Sequence, residues 1–417
     1  MQIHLINTGS ELLLGRVLNT HQQWICRQLA DHGYLVTRQI AVDDSGPSIQ
    51  QAVRESLATA EIIIVTGGLG PTSDDRTRDL VAELLGCRLR EDASVAAHIA
   101  GFFTARGRRM PPSTLVQAQV PEGAIVFSNA HGTAPGLAME APGSRLLVML
   151  PGPPRELRPM FRDQVMPLLL QRFPLAVEFY CRTLKTTGLG ESLVEQRLAP
   201  ALAALVETGL GIGYCARVGE VDVRFTASGA AARSSVSEAE RIAREKLGSL
   251  VFGIDDESLE AIVVRLLRDR VERLALAESC TGGFIAHRIT NVPGASLVFT
   301  GGFVTYSNEA KAACLGVRAG TLDAHGAVSE ATVREMAEGA RARLQTDYAI
   351  AVTGIAGPDG GSADKPVGTV WIGLATKRGT AAVKKFNPVD RETFKYVTSQ
   401  QALEMLRREM LEPTARG

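Results

Sequence analysis

This sequence has no excess of either charge: lysine plus arginine equal aspartate plus glutamate at 45 each. No global field draws it toward nucleic acid or an anionic membrane, so small molecules are the expected partners. No stretch approaches the roughly eighteen apolar residues that a membrane span needs. The start, MQIHLINTGSELLLG, places Asn7, Thr8 and Glu11 where a secretory leader requires an unbroken apolar run, so a cytoplasmic protein is expected. The six cysteines (Cys26, Cys87, Cys181, Cys215, Cys280, Cys314) lie far apart, without a C-x-x-C pair or neighbouring histidines. That pattern excludes a zinc-finger site and a disulfide framework. There is no internal repeat and no low-complexity tract.

What is present is enough chain, 417 residues, for two or three α/β domains. Residues 1–172 alternate apolar strands (IHLINTG, EIIIVTGG, RLLVMLPGPP) with amphipathic helices, which predicts a parallel sheet covered on both faces. Ligands on such sheets sit at the carboxyl ends of strands, where TGSELLLG, TGGLGPTSDD and LPGPPRE all fall. Residues 178–255 read as strand, helix, hairpin, helix and a short strand, a small α/β sandwich similar to an RNA-binding KH fold. A KH module needs a basic G-x-x-G loop. Here the turn is TTGLGE, and Cys181 to Glu257 carry nine basic against eleven acidic residues, so a spacer or dimerisation domain is expected. Residues 258–413 form a third α/β unit, opened by the one-faced helix SLEAIVVRLLRDRV.

The third unit contains LALAESCTGGFIAHRIT, a strand-to-helix turn bearing Ser279, Cys280 and Thr281 before a glycine pair. Such a turn lifts side chains clear of the sheet and aims helix-start N–H groups at whatever lies above. A serine there needs a base within hydrogen-bond reach. The candidates are His287, His325 and Lys311, the last only if burial lowers its pKa. A helix start lowers a thiol's pKa, which favours Cys280. Neighbouring residues leaving a strand point to opposite sides, however, so Ser279 and Cys280 do not share one pocket. Further on, VTGIAGPDGG brings Gly354, Gly357, Gly360 and Gly361 together after a strand, without matching a dinucleotide or phosphate-loop motif.

Taken in order, AESCTGG, TYSNEAKAACLGV, GAVSE, VTGIAGPDGG and KPVGTVWIGLA closely resemble the carboxyl-terminal domain of the CinA family, the competence/damage-inducible proteins. GSELLLGRVLNT, TGGLGPTSDDRT, NAHGTAPG and LPGPPREL resemble its amino-terminal domain, which shares the molybdopterin-binding fold. The resemblance implies deamidation of nicotinamide mononucleotide in the third unit and metal-dependent ADP-ribose pyrophosphatase activity in the first. It also implies a homodimer. On it, Ser279 is the nucleophile and Lys311 its general base. Thr281, Gly282 and Gly283 are then expected to supply oxyanion or substrate contacts, and Tyr306, Thr353, Gly354, Gly357 and Gly361 to hold the ribose phosphate.

In the first unit the glycines Gly67, Gly68 and Gly70 can accept a diphosphate. Asp74 and Asp75, with Glu11 and Glu156 from neighbouring loops, are expected to hold a divalent cation. One departure bears on that activity: His21 stands where the family carries asparagine. Two other readings compete, a regulatory adaptor in competence or DNA damage and a molybdopterin-binding protein, the latter resting on fold alone.

Overall fold

A computed structural model describes residues 1–412, so the expected domain end at Pro413 lies outside the described residues. Contacts divide the chain into two units, Met1–Cys181 with Ser228–Ala230, and Arg182–Ala227 with the remainder from Ala231. Among the described residues no helix is long and apolar enough to cross a membrane.

The first unit is built on β1 (Ile3–Thr8), β2 (Val36–Val42), β3 (Ile62–Thr66), β6 (Ile125–Phe127), β7 (Gly136–Ala141) and β8 (Arg145–Leu150), with a separate ribbon of β4 (Leu89–Glu91) and β5 (Gln119–Pro121). The sheet order is β2-β1-β3-β8-β7-β6. The first four strands are parallel, as expected, whereas β7 and β6 add an antiparallel edge. Strand period two sends Ile3, Leu5, Ile62, Ile64, Leu146 and Val148 to one core, and Ile6, Ile63, Val65, Leu147 and Met149 to the other. Helices α1 (Thr20–Asp31), α2 (Gly46–Thr59), α3 (Thr77–Leu84), α4 (Ala93–Thr104) and α5 (Pro154–Met160) run alongside the strands. Asn19 starts α1 by accepting from the Gln22 amide.

The second unit contains two sheets. In the smaller, β9 (Phe179–Thr187), β10 (Gly211–Arg217), β11 (Glu220–Ser228) and β12 (Val251–Ile254) run in the order β10-β11-β9-β12, beside α6 (Glu191–Glu207) and α7 (Ala232–Leu247). In the larger, β13 (Leu274–Glu278), β14 (Phe299–Val304), β15 (Tyr348–Gly354), β16 (Thr369–Thr376) and β17 (Gly379–Phe386) run in the order β14-β13-β15-β16-β17. Strands β13, β14 and β15 are mutually parallel and β16 and β17 antiparallel, β17 being a strand that sequence reading leaves out. From β13 the chain goes first to β14 on one side and then to β15 on the other. That reversal opens a crevice above the ends of β13 and β15, where open α/β sheets place ligands.

Helices α8 (Leu259–Arg270), α9 (Phe284–Thr290) and α12 (Arg391–Leu411) cover one face of this sheet, against Leu274, Leu276, Ile350 and Val352. The opposite face is small: Ala275, Ala277, Ala349 and Ala351 meet Ala337 and Ala340 of α11 (Glu330–Leu344). A buried polar chain joins the smaller sheet to the larger domain. Gln400 donates to Glu220 at 2.6 Å, while Arg288 donates to Gln400 at 2.7 Å and to Ser399 at 2.8 Å. The Gly188–Gly190 turn faces α12 across a cavity of about 690 Å³, so the segment corresponding to a KH backbone clamp looks onto its own chain.

Alanine-lined packing also fixes α10 (Asn308–Leu315), which crosses α11 at Gly339. A Cβ at Gly339 would lie 1.9 Å from the backbone oxygen of Leu315. Gly339→Ala is therefore expected to lower stability by about 1–3 kcal/mol and to displace α10. Thermal denaturation checks the first effect, and an unchanged melting temperature would contradict this packing.

Candidate active site

The site is assembled by three strand ends. Strand β13 is buried throughout and carries the chain directly into Ser279, whose amide donates to Val352 of β15 at 3.0 Å. Gly282 and Gly283, at φ 61° and 92°, then turn the backbone through the left-handed region into α9. Strand β14 leads through Thr305 and Tyr306 to α10, which Ser307 caps by accepting from Ala310. The residue gained in this way is Lys311, with a relative exposure of only 1%.

Lys311 Nζ stands 3.2 Å from Ser279 Oγ, 3.0 Å from the Thr305 carbonyl and 3.3 Å from the Tyr306 carbonyl. Burial holds its pKa below the ordinary lysine value, outweighing the opposite pull of Cys280 and Glu309. A neutral amine has two hydrogens and one lone pair. In that form, with the two carbonyls taking the hydrogens, the lone pair is left for the serine hydroxyl; in the charged form Lys311 donates to all three oxygens. The same burial raises the Cys280 thiol to about 12, and its side chain belongs to the apolar core beneath the sheet. One effect, burial, thus lowers the pKa of the lysine and raises that of the thiol, because it penalises the charged form of each.

Sequence reading missed Glu278, the last residue of β13, which is 1% exposed. One of its carboxylate oxygens accepts from Thr281 Oγ1 at 2.6 Å, Gly283 N at 3.0 Å and Ile285 N at 3.1 Å. The other accepts from Ala286 N at 2.8 Å. A single buried carboxylate thus satisfies the helix start and complements its dipole. This overturns one expectation. Thr281 and Gly283 bond to Glu278, and the Gly282 amide donates to Ser279 O at 3.1 Å, so these three are structural and do not line the cavity. Cys280 is one of the lining residues, and its amide has no backbone acceptor among the described residues.

The cavity measures about 190 Å³ and is lined by Ser279, Cys280, Tyr306, Lys311, Ala327, Val328, Thr353, Gly354, Ala356 and Arg391. Thr353 is fixed by donating to Ala327 O at 2.8 Å, which ties the GAVSE loop to β15. Gly354 is required by close approach: a Cβ would lie 2.8 Å from Thr369 O. Gly357 acts at one remove, its carbonyl accepting from Arg391 Nη1 at 2.8 Å, while Gly361 packs on Val367 and does not reach the cavity. Neither His287, bonded to Asn291, nor His325, whose carbonyl accepts from Lys365, lines it. Arg391 is the second residue missed. It opens α12, where the dipole disfavours a cation, and that misplacement was its signal. Its Nη2 donates to the Tyr306 hydroxyl at 2.7 Å, forming a polar rim on the cavity mouth.

In the first unit the three glycine-bearing loops do converge, since Gly67 N donates to Leu150 O at 2.9 Å and a Cβ on Gly67 would meet Thr8. Gly68 likewise abuts Thr77 and Gly70 abuts Asp75. The acids are employed differently from expectation. Asp75 accepts from the Thr72 amide at 3.0 Å, Asp74 is held below the usual carboxylate range chiefly by Thr72, and Glu11 folds over Gly9. Glu156 is buried and accepts from Asn129 Nδ2 at 2.8 Å. Among the described residues no three His, Cys, Asp or Glu side chains gather as a metal site. Around the same loops, Asn7 Oδ1, Thr77 Oγ1 and Gln117 Oε1 are buried without a hydrogen-bond partner among the described residues. His21 faces the Gly152 backbone, and burial lowers its pKa.

A lysine amine 3.2 Å from a serine hydroxyl stands at the switch point of a sheet in a three-part α/β protein. Residues 256–410 match the family model described as CinA C-terminal domain, 181–253 the damage-inducible protein CinA KH domain, and 4–171 the "Probable molybdopterin binding domain". A CinA-like protein of Akkermansia muciniphila is 44% identical over 405 residues, spanning 97% of this chain and 96% of its own. One from Kosmotoga olearia is 41% identical over 414 residues, spanning 99% of each. Among solved structures, competence/damage inducible protein CihA from Agrobacterium tumefaciens is 40% identical, with a TM-score of 0.34, over 36% of this chain and 94% of that one. The chain belongs to the CinA family.

Glu278→Gln tests the turn. An amide nitrogen would replace one oxygen that now receives N–H groups, at a cost of about 2–3 kcal/mol. The urea midpoint is expected to fall accordingly, and an unshifted midpoint would remove Glu278 from this role.

Proposed function

We propose that the second unit hydrolyses the carboxamide of nicotinamide mononucleotide, giving nicotinate mononucleotide and ammonia. The observation that carries this reading is the Lys311 amine, 3.2 Å from Ser279 Oγ and lowered in pKa by burial. The cationic pyridinium withdraws electrons from its carboxamide, which makes an otherwise reluctant amide open to attack. Ser279 Oγ adds to the carbonyl carbon as its proton passes to Lys311 Nζ. The Cys280 amide receives the oxyanion, a contribution of about 3 kcal/mol for a well-placed donor. The C–N bond then breaks, Lys311 returns the proton to the departing ammonia, and water hydrolyses the ester. A cavity of about 190 Å³ suits the ring and carboxamide, leaving the ribose phosphate at the rim by Tyr306 and Arg391.

Ammonia release from the mononucleotide is expected to vanish in Ser279→Ala and to persist in Cys280→Ala. The opposite pattern would transfer the nucleophile to the thiol. The rate of acylation is expected to rise with pH and level off above an apparent pKa lower than 10.5, because only the unprotonated amine accepts the serine proton. Lys311→Arg should lose about 100- to 10,000-fold in turnover. Substantial activity in that variant would show that Lys311 supplies charge and not basicity.

A second reading concerns the first unit: ADP-ribose hydrolysis to AMP at the converging glycine loops. It is favoured by the unpartnered buried oxygens of Asn7, Thr77 and Gln117 around Gly67–Gly70. Incubation with ADP-ribose, with and without a divalent cation, tests it through AMP. Absence of AMP under both conditions rejects it, and His21→Asn is the reversion to assay beside it.

A further inference from the structure

Three arginines and a histidine surround one pocket of the first unit, in a protein whose charges otherwise balance. The pocket measures about 430 Å³ and is lined by Phe102, Arg106, Arg108, His131 and Arg155, with no carboxylate. Among the described residues none of these guanidiniums has an acidic partner within ion-pair distance. Arg106 is held in place, its Nη1 donating to Phe102 O at 3.1 Å and its guanidinium lying 3.4 Å from the ring centroid. Gly107, at φ 62°, lets Arg108 fold back so that its amide donates to Phe103 O at 3.0 Å.

The negative end of α4 accounts for cations at Arg106 and Arg108. It does not account for Arg155, at the start of α5, or for His131, from the segment between β6 and β7. Arg155 directly follows LPGPP, one of the three loops that build the glycine-lined crevice. Arg155 immediately precedes Glu156, the His131 amide donates to Asn129 Oδ1 at 3.0 Å, and Asn129 in turn donates to Glu156 at 2.8 Å. Gly132 is pinned between them, with its carbonyl 3.0 Å from His98 Nε2 and no room for a Cβ beside the Glu156 carboxylate.

We propose that this pocket is a phosphate subsite: it receives a phosphate group of the small molecule taken up by the first unit. Planar guanidiniums match phosphate oxygens two at a time, and their convergence without a counter-charge is repaid when a dianion enters. The identity of that molecule rests on the diphosphate reading of the first unit, but anion capture can be measured without any turnover.

The probe is inorganic pyrophosphate, titrated calorimetrically into the full-length protein without divalent cations and at low ionic strength. Saturable binding of one equivalent is expected, weakened about tenfold in Arg108→Ala and again in Arg155→Ala, as loss of a charge-assisted bond requires. Both side chains are exposed, so folding is preserved, and Arg162→Ala, whose guanidinium already pairs with Asp163, is expected to bind like the parent. No binding by the parent, or equal binding by the Arg108→Ala/Arg155→Ala double variant, overturns the subsite even if ADP-ribose is hydrolysed. Binding lost in the double variant while ADP-ribose stays intact leaves the subsite standing and removes the hydrolase reading.

Discussion

A lysine amine enclosed at 1% exposure among three neutral oxygens is the constraint around which the second unit is arranged. Burial penalises its charged form, and the opposing pull of Cys280 and Glu309 is too weak to restore it. The elements that hold it are rigid for separate reasons: a serine cap and a left-handed Gly316 bound α10, and a glycine of α11 lets the two helices touch backbone to backbone. The lysine reaches Ser279 because β13 and β14 pair in parallel, so that both chains leave the sheet at the same edge. Fold, helix packing and proton affinity are therefore one arrangement seen at three scales.

The turn beyond β13 shows how a sheet chooses between two nucleophiles. Ser279 lines the crevice, while Cys280 borders it and also belongs to the apolar core. The buried thiol is pushed up to about 12, beyond use at neutral pH, while the lysine facing the serine is pushed down. The helix start, which commonly activates a cysteine, is already answered by the Glu278 carboxylate. An acid placed to steady the turn thereby removes the field that would have favoured the competing thiol.

Much of this was legible in the chain. Periodicity located three of the eight strands of the first unit and most elements of the second, and Ser258, Ser329 and Asp390 cap helices where small polar residues precede apolar stripes. Ser279 and Lys311 emerged from motif order and lie 3.2 Å apart, whereas the opposite-face rule did not keep Cys280 from lining the same cavity as Ser279. What escaped depends on long-range contact. Glu278 looks like the polar end of a strand until its oxygens are seen to meet four donors up to eight residues on. Arg391 lies far along the chain from Tyr306 and joins it only because α12 begins above the sheet edge. Strand β17 was hidden because AAVKKF alternates weakly at an exposed edge, where one face meets solvent.

The acids of the first unit carry the same lesson in reverse. Consecutive aspartates after a glycine loop suggest a cation from spacing alone, yet the backbone has a prior claim on them. Thr72 and the loop amides need acceptors, and Asp74 and Asp75 are the nearest. A carboxylate engaged by its own loop has fewer lone pairs to offer a metal, whereas buried oxygens left without partners remain available to a ligand's donors. The glycine loops on one side and the guanidiniums of the neighbouring pocket on the other set donors around this crevice, while Asp74 and Asp75 are turned to their own loop; that distribution is what the proposal of an anionic ligand rests on.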